Sequence, residues 1–486
     1  MKRNSAGKNY FFNLSYQILL ILLPLVTTPY VSRVLTPTGV GAYSLSFSYI
    51  TYFTLLSAFG FTYYAQREIA KCAEDREKQA TLFWEILLAR LFPVALSLAL
   101  NNTLIFAGVY GDNTVLMRIF NINILACAFD ITFLFQGNEE FGKTVAVNLG
   151  VKLLGVASIF LFVRTAADLW LYTLLNALVL FGSNLLLWLF APKRVRRKEK
   201  TRLHPMRHLG PAARLFLPNI AISMYTVLDK SLIGIITADR AQNGFYEEAE
   251  KIVKCAMTVI TSLGTVMIPR NAREFAAGNT DAVKNNVCRS VHFVFLLGLP
   301  LATGIALCAG NLVPWFLGED YGPAVLLLKL FAPLIPIIGL SNVFGLQYLI
   351  PGKRDRHFTR AILIGAVTNF ALNIPLIFRF GARGAVIASV TAEAVVTLVM
   401  LGTVRRDFPL SRLFLPVWRP AVGTAAMAAA LFPLTVYFTP SVSHTLLLAL
   451  IGAALYFLLL LLLRDPLLWD VLAKAKEKLK RKNQAS

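Results

Sequence analysis

The sequence predicts an all-α integral membrane protein of about fourteen transmembrane helices, arranged as two six-helix lobes plus two C-terminal helices. Of the 486 residues, 56% are hydrophobic and only 15% are charged, whereas soluble domains carry about 25% charged residues. Apolar stretches of about 17 to 25 residues, the length that crosses a bilayer, recur from one end to the other. Basic residues concentrate in alternate connections between these stretches, as they do in multi-pass proteins.

The predicted spans follow one another with connections too short for a soluble domain. They are 10–32, 40–62, 80–106, 115–137, 144–163, 169–191, 212–236, 245–269, 285–308, 323–347, 358–379, 383–404, 416–438 and 444–463. The first one contains Pro24 and Pro29 and lacks a small-residue cleavage site, so it is interpreted as a span and not as a secretory signal. The five cysteines are scattered and show neither a disulfide framework nor metal-ligand spacing.

The distribution of basic residues predicts that both termini lie in the cytoplasm. Most of the 48 Lys and Arg fall in connections on that side. The segments predicted to be outside hold only Arg33, Arg118, Arg164, Arg240, Arg379 and Arg383. This bias follows the positive-inside rule. Orientation and attraction to anionic lipid also explain the net charge of +22, so no nucleic-acid partner is expected.

The longest connection, 192–211, divides the chain after six of the spans. The predicted organisation is an N-lobe over 1–191, a basic cytoplasmic linker over 192–211, a C-lobe over 212–404, spans 13 and 14 within 405–463, and a basic cytoplasmic tail over 464–486. A weak internal repeat supports two lobes. Gly41 and Tyr43 match Gly244 and Tyr246 at one constant offset, where a duplicated six-span unit would place them.

Ionisable residues inside the spans are the candidate functional residues, because a charge in hydrocarbon is costly and should face a cavity or a partner. They are Glu85 and Arg90 in span three, Asp130 in span four, Lys152 in span five, Asp229 and Lys230 in span seven, Lys329 in span ten and Glu393 in span twelve. For Glu85, Arg90 and Lys152, in the cytoplasmic halves of their spans, a structural ion pair is an equal alternative.

Span eight, within "NGFYEEAEKIVKCAMTVITSLGTVMIPR", carries the highest density of charge. Counting about twenty residues back from Arg270 places Lys251 and Lys254 in the membrane and Glu250 at its outer boundary. Glu247 with Lys251 and Glu250 with Lys254 are i,i+4 pairs in the favourable order, and all four share one helix face. The sequence therefore predicts a polar stripe that lines a water-filled cavity between the lobes.

No catalytic motif emerges from the sequence. The five histidines lie near loops or helix ends, and no zinc-binding spacing, phosphate-cradling loop or nucleophile elbow is visible. A membrane glycosyl polymerase or acyltransferase usually needs a larger loop or a buried histidine, so that alternative is disfavoured, as is a structural scaffold. We expect a protein that is not an enzyme and that uses no cofactor and no metal.

Two long segments carry a resemblance to a known family. "NLSYQILLILLPLVTTPYVSRVLTPTGVGAYSLSFSYITYFTLLSAFGFTYYAQREIAK" resembles the N-terminal signature of the Wzx-type polysaccharide flippases, and "LDKSLIG…NGFYEEAEKIVK…ITSLGTVMIPR" resembles their second-lobe counterpart. "FGARGAVIAS" fits as well, and the resemblance covers essentially the whole chain. One departure is Thr36-Pro37-Thr38, where the family often has a glycine after the leucine.

The resemblance implies the bilobed fourteen-helix fold that this family shares with MATE exporters and MurJ-type flippases. It implies transport of undecaprenyl-diphosphate-linked glycan, or a related teichoic-acid precursor, across the cytoplasmic membrane by alternating access through a cationic lumen. Membrane lipids, a coupling ion (H+ or Na+) and the polysaccharide polymerisation machinery are the implied partners. By position, Arg33 lies in the first-lobe signature, and Asp229, Lys230, Glu247, Glu250, Lys251 and Lys254 lie in the second.

A diphosphate headgroup needs a wet route with fixed positive charge, which Lys and Arg supply. The candidate substrate-binding residues are Lys230, Lys254, Lys251, Arg33, Arg90, Lys152 and Lys329. The candidates for ion coupling or charge balance are Asp229, Glu250, Glu247, Glu85, Asp130 and Glu393, which either bind a coupling cation or neutralise a neighbour. The alternative within transport is a MATE-type drug exporter, whose cationic substrates would favour an acidic lumen.

Overall fold

The computed structural model describes residues 4–72, 74–191, 195–196, 202–470, 472–473 and 477, with side chains except at 4–22, 217–226 and 265. Parts of the predicted linker 192–211 and of the predicted tail 464–486 lie outside these residues. The described residues form helices and no strands, so the predicted all-α class is confirmed. The helices are α1 (Asn4–Ala58), α2 (Phe61–Lys71), α3 (Arg76–Phe106), α4 (Thr114–Phe129), α5 (Thr132–Gly137), α6 (Phe141–Phe162), α7 (Leu169–Leu187), α8 (Leu209–Thr237), α9 (Arg240–Ala276), α10 (Thr280–Phe316), α11 (Gly322–Phe331), α12 (Leu334–Phe344), α13 (Asp355–Phe380), α14 (Ala382–Val404), α15 (Leu410–Phe414), α16 (Trp418–Tyr437) and α17 (Val442–Leu462).

The protein is a multi-pass membrane protein. In the described part of the chain, ten helical segments are long and apolar enough to cross a bilayer, and one bent pair, Glu319–Phe331 with Leu334–Leu349, adds an eleventh. The count of fourteen and the orientation with both termini inside stay predictions.

Two predicted spans are broken helices. Span four is interrupted at Asp130, whose extended backbone separates α4 from α5. Span ten bends by 40° at Ala332 and Pro333, between α11 and α12. Proline cannot donate a backbone hydrogen bond, which favours a bend in a helix. The predicted spans 115–137 and 323–347 therefore each contain two helical segments.

The first two predicted spans are two helices, grouped here as α1, that meet at a kink. Thr36 is the only described residue of α1 with non-helical backbone angles, with φ of 61° and ψ of 168°. Pro37 follows it and restarts the helix, a position where proline's fixed φ is favourable. The departure from the family pattern at Thr36-Pro37-Thr38 therefore coincides with the turn between the two spans.

Two helices run well beyond their predicted ends. α9 and α10 have 37 residues each, which makes them about 55 Å long against a hydrocarbon core of about 30 Å. α9 therefore continues past Arg270, the residue from which the depth of Lys251 and Lys254 was counted. Both helices project beyond the apolar layer of the bilayer.

The chain packs as two compact units, Met1–Gly244 and Phe245–Ser486. In the first unit α1 is central and packs against α3, α4, α6 and α8. In the second unit α10 packs against α11, α12, α16 and α17, and α13 lies along α14. The predicted lobe and linker boundaries stay predictions, because compact packing does not identify a duplicated six-span unit.

A close backbone contact in the first unit joins the two glycines of the weak repeat. A Cβ atom on Gly41 would lie 1.7 Å from the carbonyl oxygen of Arg240 and 2.9 Å from the amide nitrogen of Gly244. A Cβ atom on Gly244 would lie 2.1 Å from the carbonyl oxygen of Pro37. Only glycine permits this approach between α1 and the start of α9.

Contacts between connections agree with the predicted alternation of sides. Arg240 contacts Asp112 at 2.8 Å, and both lie in connections predicted to be outside. Arg354 pairs with Asp407, and both lie in connections predicted to be inside. Both contacts would exist whether the termini lie inside or outside. They therefore support the predicted alternation of the connections, and they do not show which side is cytoplasmic.

Candidate functional site

The charged stripe of α9 forms ion pairs along one helix. Lys251 Nζ lies 3.5 Å from Glu247 Oε1, and Lys254 Nζ lies 2.8 Å from Glu250 Oε1. The two i,i+4 pairs predicted from the sequence are therefore present. Lys254 keeps 54% of its side chain exposed, whereas Glu250 keeps 13%. In this second pair the carboxylate is therefore mostly buried and the ammonium group is more exposed.

Glu248 is a further partner that the sequence prediction missed. Its side chain is fully buried, and its Oε1 accepts a hydrogen bond from Lys251 Nζ at 2.9 Å. Lys251 is thus closer to Glu248 than to Glu247. The spacing i,i+3 also brings helix residues together, so counting that spacing as well as i,i+4 would have found this pair.

Arg90 and Asp130 form a buried pair at the break between α4 and α5. The guanidinium of Arg90, only 2% exposed, donates from Nη2 to Asp130 Oδ2 at 3.1 Å and from Nη1 to the Asp130 carbonyl oxygen at 2.8 Å. Asp130 Oδ1 accepts from the Thr132 amide at 2.9 Å, which caps the start of α5. This geometry is the structural ion pair that the sequence left as an alternative for Arg90.

Lys152 and Asp130 line one cavity of about 550 Å³ inside the first unit. Its walls come from α1, α4, α6 and α7, with Thr132 at the start of α5. This cavity brings together two of the charged residues that the sequence marked as candidates. No pattern in the sequence indicates that spans four and five meet here.

Glu85 anchors the C-terminal part of the predicted linker 192–211. Its carboxylate is 1% exposed and accepts hydrogen bonds from the His204 amide at 2.8 Å, Arg207 Nη2 at 2.5 Å and His208 Nε2 at 3.0 Å. His208 Nδ1 also contacts the Tyr64 hydroxyl at 2.7 Å. Glu85 therefore has structural partners on a segment more than a hundred residues away in sequence, which no local pattern could reveal.

Two histidines are buried, although their positions near helix ends suggested otherwise. His208 contacts Glu85, and His292 Nε2 contacts Asp465 Oδ2 at 2.8 Å. Burial opposes ionisation of Asp465, but hydrogen bonds from His292, Leu468 and Leu467 hold the pKa of this carboxyl below its ordinary value. Both imidazoles thus hold a carboxylate and connect distant segments.

The remaining candidates occupy separate places. Lys329 lies in a cavity of about 560 Å³ in the second unit, together with Asn311 and Thr435. Arg33 is exposed on α1, and Glu393 is half-buried on α14. The prediction that all these cations line one lumen stays a prediction.

Asp229 and Lys230 lie where α8 packs in the first unit. Asp229 is buried and Lys230 is half-buried. The carbonyl oxygen of Lys230 accepts a hydrogen bond from Asn243 Nδ2 at 2.7 Å, and the hydroxyls of Ser231 and Tyr52 lie 3.1 Å apart. These contacts fix this stretch of α8 against α1 and the start of α9.

An apolar groove of about 430 Å³ lies in the second unit between α10, α16 and α17. Leu297, Ile305, Leu431 and Leu448 are among its lining residues. Tyr456, also in the lining, uses its hydroxyl to donate to the Leu296 carbonyl oxygen at 2.6 Å. The groove therefore presents hydrocarbon surface almost throughout.

Comparisons with known proteins agree with this architecture. The family model described as "Polysaccharide biosynthesis protein" matches residues 6–275. A proposed O-antigen transporter of Escherichia coli (strain K12) is 24% identical over 393 residues, covering 79% of this chain and 93% of that protein. The family match includes the charged stripe of α9, and the match to the relative covers most of the chain.

Two solved structures share the fold. The lipid II flippase MurJ in an inward closed conformation has a TM-score of 0.74 at 14% identity, covering 94% of this chain and 99% of that one. An inward-facing MATE-family multidrug transporter has a TM-score of 0.62 at 14% identity, covering 79% and 94%. Because the family model matches more than half of the residues, the chain belongs to the polysaccharide biosynthesis protein family.

Proposed function

We propose that this protein is a flippase that moves a lipid-linked glycan, with a prenyl-diphosphate anchor, across the cytoplasmic membrane by alternating access. The observation that carries the proposal is the α9 stripe: Lys251 and Lys254, each held by glutamates, lie on a helix apolar enough to span a bilayer. A diphosphate crossing the membrane requires such fixed cations. The family and the O-antigen transporter relative support the same substrate class.

The two kinds of surface suit the two ends of such a substrate. The polar cavity beside Lys152 can hold hydroxyl-bearing groups, and the apolar groove of the second unit can hold hydrocarbon. Burying a prenyl chain in lipid or in an apolar groove is favourable, whereas its headgroup needs polar partners. The first unit therefore offers a surface for polar groups, and the second unit offers a surface for hydrocarbon.

The glutamates of α9 give the lysines a partner when no substrate is present. A phosphate oxygen can replace Glu247, Glu248 or Glu250 at a lysine, since charge-assisted hydrogen bonds to carboxylate and phosphate are similar in strength. The released carboxylate can then take up a proton or Na+. In this proposal the exchange couples ion uptake to substrate binding, and the released glycan passes to polymerisation machinery.

The test is export of surface polysaccharide in cells that lack the chromosomal copy. Lys254→Gln and Lys230→Gln should abolish export at normal membrane levels of the protein. Lys78→Gln is the matched control, because Lys78 also pairs with an acidic residue, Asp75, at 3.3 Å, but is 78% exposed at a helix start. Normal export by both variants would refute the assigned cationic path.

The drug-exporter alternative has no specific observation in its favour. The resemblance to a MATE transporter at 14% identity shows the fold alone. The relative is named an O-antigen transporter, and the structural neighbour is named a lipid II flippase. Both names agree with the prediction that the chain is not an enzyme. Drug efflux by the wild type, in cells without any change in surface polysaccharide, would contradict the proposed substrate class.

A further inference from the structure

The cavity beside Lys152 is unusually rich in amide side chains for a place among membrane-spanning helices. Its lining includes Asn123 on α4, Asn148 on α6, and Asn176 and Asn184 on α7. An amide moved from water into an apolar medium without partners costs about 2–7 kcal/mol. Four amides around one space of about 550 Å³ are therefore expected to serve a polar occupant.

Packing explains only part of this polarity. Asn184 Nδ2 donates to the Ala126 carbonyl oxygen at 2.8 Å, and Asn176 Nδ2 donates to the Tyr172 carbonyl oxygen at 2.8 Å. Asn123 is 5% exposed, yet its Oδ1 accepts no hydrogen bond from the part of the chain that the structure describes. A buried acceptor of this kind is normally satisfied, so a donor from an occupant would complete it.

The charges of the cavity are arranged for a partner that carries both hydroxyls and an anion. Asp130 is held rigidly by Arg90 at 3.1 Å and by the Thr132 amide at 2.9 Å, so it is a preorganised acceptor. Lys152 adds a cation on the neighbouring wall. Tyr43 and Phe47 complete the lining with aromatic surface, and the volume lies in the range of about 300–1,000 Å³ typical of small-molecule sites.

Other occupants fit this lining less well. Among the described residues, no three His, Cys, Asp or Glu side chains come together as a metal site requires. A hydrocarbon chain could not donate a hydrogen bond to the buried Asn123 Oδ1. A cationic drug would meet the ammonium of Lys152. A sugar ring supplies many hydroxyl donors and acceptors, which amides and carboxylates match in both directions.

We propose that this cavity binds one sugar unit that carries an anionic group, with Lys152 facing the anion and Asn123, Asn148 and Asp130 contacting ring hydroxyls. The inference rests on the proposed glycan flippase function and names the part of the substrate that the first unit recognises. The anion is either the phosphate that joins the sugar to the lipid or a carboxylate of the sugar. Both present the same oxygen chemistry to an ammonium group.

The test measures binding of soluble sugars to the purified full-length protein by calorimetry. The probes are N-acetylglucosamine 1-phosphate, glucuronate, neutral N-acetylglucosamine and inorganic phosphate. An anionic sugar should bind more tightly than the neutral sugar or phosphate alone, and the preferred anionic sugar identifies the source of the anion. Lys152→Gln should weaken anionic-sugar binding at least about tenfold, because a charge-assisted hydrogen bond is lost.

Variants of one helix provide the controls. Lys143 also lies on α6, and its Nζ pairs with Glu140 Oε2 at 2.9 Å. The Lys143→Gln variant should therefore bind all probes as the wild type does. Asn148→Leu should weaken neutral and anionic sugars alike, and Asn148→Gln tests the same contact if the leucine variant does not fold. Wild-type affinity in Lys152→Gln and the folded Asn148 variant would overturn the proposal, as would binding of inorganic phosphate as tight as any sugar.

Export assays on the same variants separate this proposal from the proposed function. If the wild type restores surface polysaccharide but binds no sugar probe at millimolar concentration, the cavity assignment is wrong and the flippase function stands. If the wild type restores no polysaccharide, the proposed function fails. Sugar binding that depends on Lys152 would still support the cavity assignment in that case.

Discussion

At the residue scale, Thr36 adopts a conformation that side chains rarely take. Its φ of 61° with ψ of 168° lies in a region occupied almost only by glycine, where strain costs about 1–3 kcal/mol. The family often has a glycine after the same leucine. This observation links the departure seen in the sequence to a specific backbone strain at the turn between the first two spans.

Thr36→Gly should therefore stabilise the protein by about 1 kcal/mol, since relief of strain exceeds the entropy that glycine loses on folding. Thermal unfolding of the purified protein in detergent would measure the effect. Thr38→Gly is the control: Thr38 is helical, so glycine there should give no stabilisation and should destabilise by about 0.3 kcal/mol. Equal destabilisation by both variants would show that Thr36 is not strained.

The buried pair of Arg90 and Asp130 gives a second prediction at this scale. Asp130→Ala should destabilise the protein by about 3 kcal/mol, because the 2%-exposed guanidinium of Arg90 loses its counter-charge. The double variant Arg90→Met with Asp130→Ala should recover part of that loss, but not the cap on Thr132. Melting temperatures of the single and double variants would test this. A double variant less stable than Asp130→Ala would contradict it.

At the scale of elements, the crossing of α1 with the start of α9 depends on two glycines. Gly41→Ala and Gly244→Ala should each destabilise by about 1–3 kcal/mol, because the added Cβ overlaps a backbone carbonyl at 1.7 Å or 2.1 Å. Gly150→Ala is the control, since that exposed helical position has no neighbour within 4 Å and alanine favours the helix. Thermal unfolding would compare them, and tolerance of alanine at both crossing positions would argue against this contact.

The connection between α14 and α15 is held to the segment before α13 by a carboxylate. The side chain of Arg354 donates hydrogen bonds to Asp407, and these hold the pKa of Asp407 below its ordinary value of 3.8. A lowered folded-state pKa contributes stability above the unfolded pKa and loses it as the pH falls through the folded value. The contact is therefore fully effective at neutral pH.

Asp407→Asn should accordingly lower the melting temperature at pH 7 but have a shrinking effect as the pH falls below about 4. The measurement is a series of melting curves from pH 7 to pH 3 for both proteins. Lys143→Gln, at a separate exposed pair with Glu140, reports the general effect of losing a surface lysine. A difference that stays constant over the whole pH range would rule out linkage through this carboxyl.

At the scale of the whole molecule, the predicted orientation places the end of α3 outside and the end of α9 in the cytoplasm. Val109→Cys, 62% exposed after α3, should react with a membrane-impermeant maleimide in right-side-out vesicles. Ala277→Cys, after α9, should not react until the membrane is permeabilised. Both would be made in a variant without Cys72, Cys127, Cys255, Cys288 and Cys308. The reverse pattern would contradict the positive-inside assignment.

Much of the fold could be predicted because its causes are local. A bilayer demands about twenty apolar residues for each span, so hydropathy alone predicts the all-α class and the approximate helix positions. The pairs of Lys251 with Glu247 and Lys254 with Glu250 could be predicted from helix geometry, because residues four apart share a face. Local sequence also marked Arg90, Asp130 and Lys152 as charges that need a partner or a cavity.

Only the tertiary structure decided which of these groups meet. Glu85 contacts His208, 123 residues away in sequence, and Lys152 shares a cavity with Asp130 and four asparagines from α4, α6 and α7. No periodicity within one helix encodes such contacts, since they depend on how separate helices pack. The sequence by itself determined a membrane protein with charges at depth, whereas the packing of separate helices decided which charges meet each other and which share a cavity.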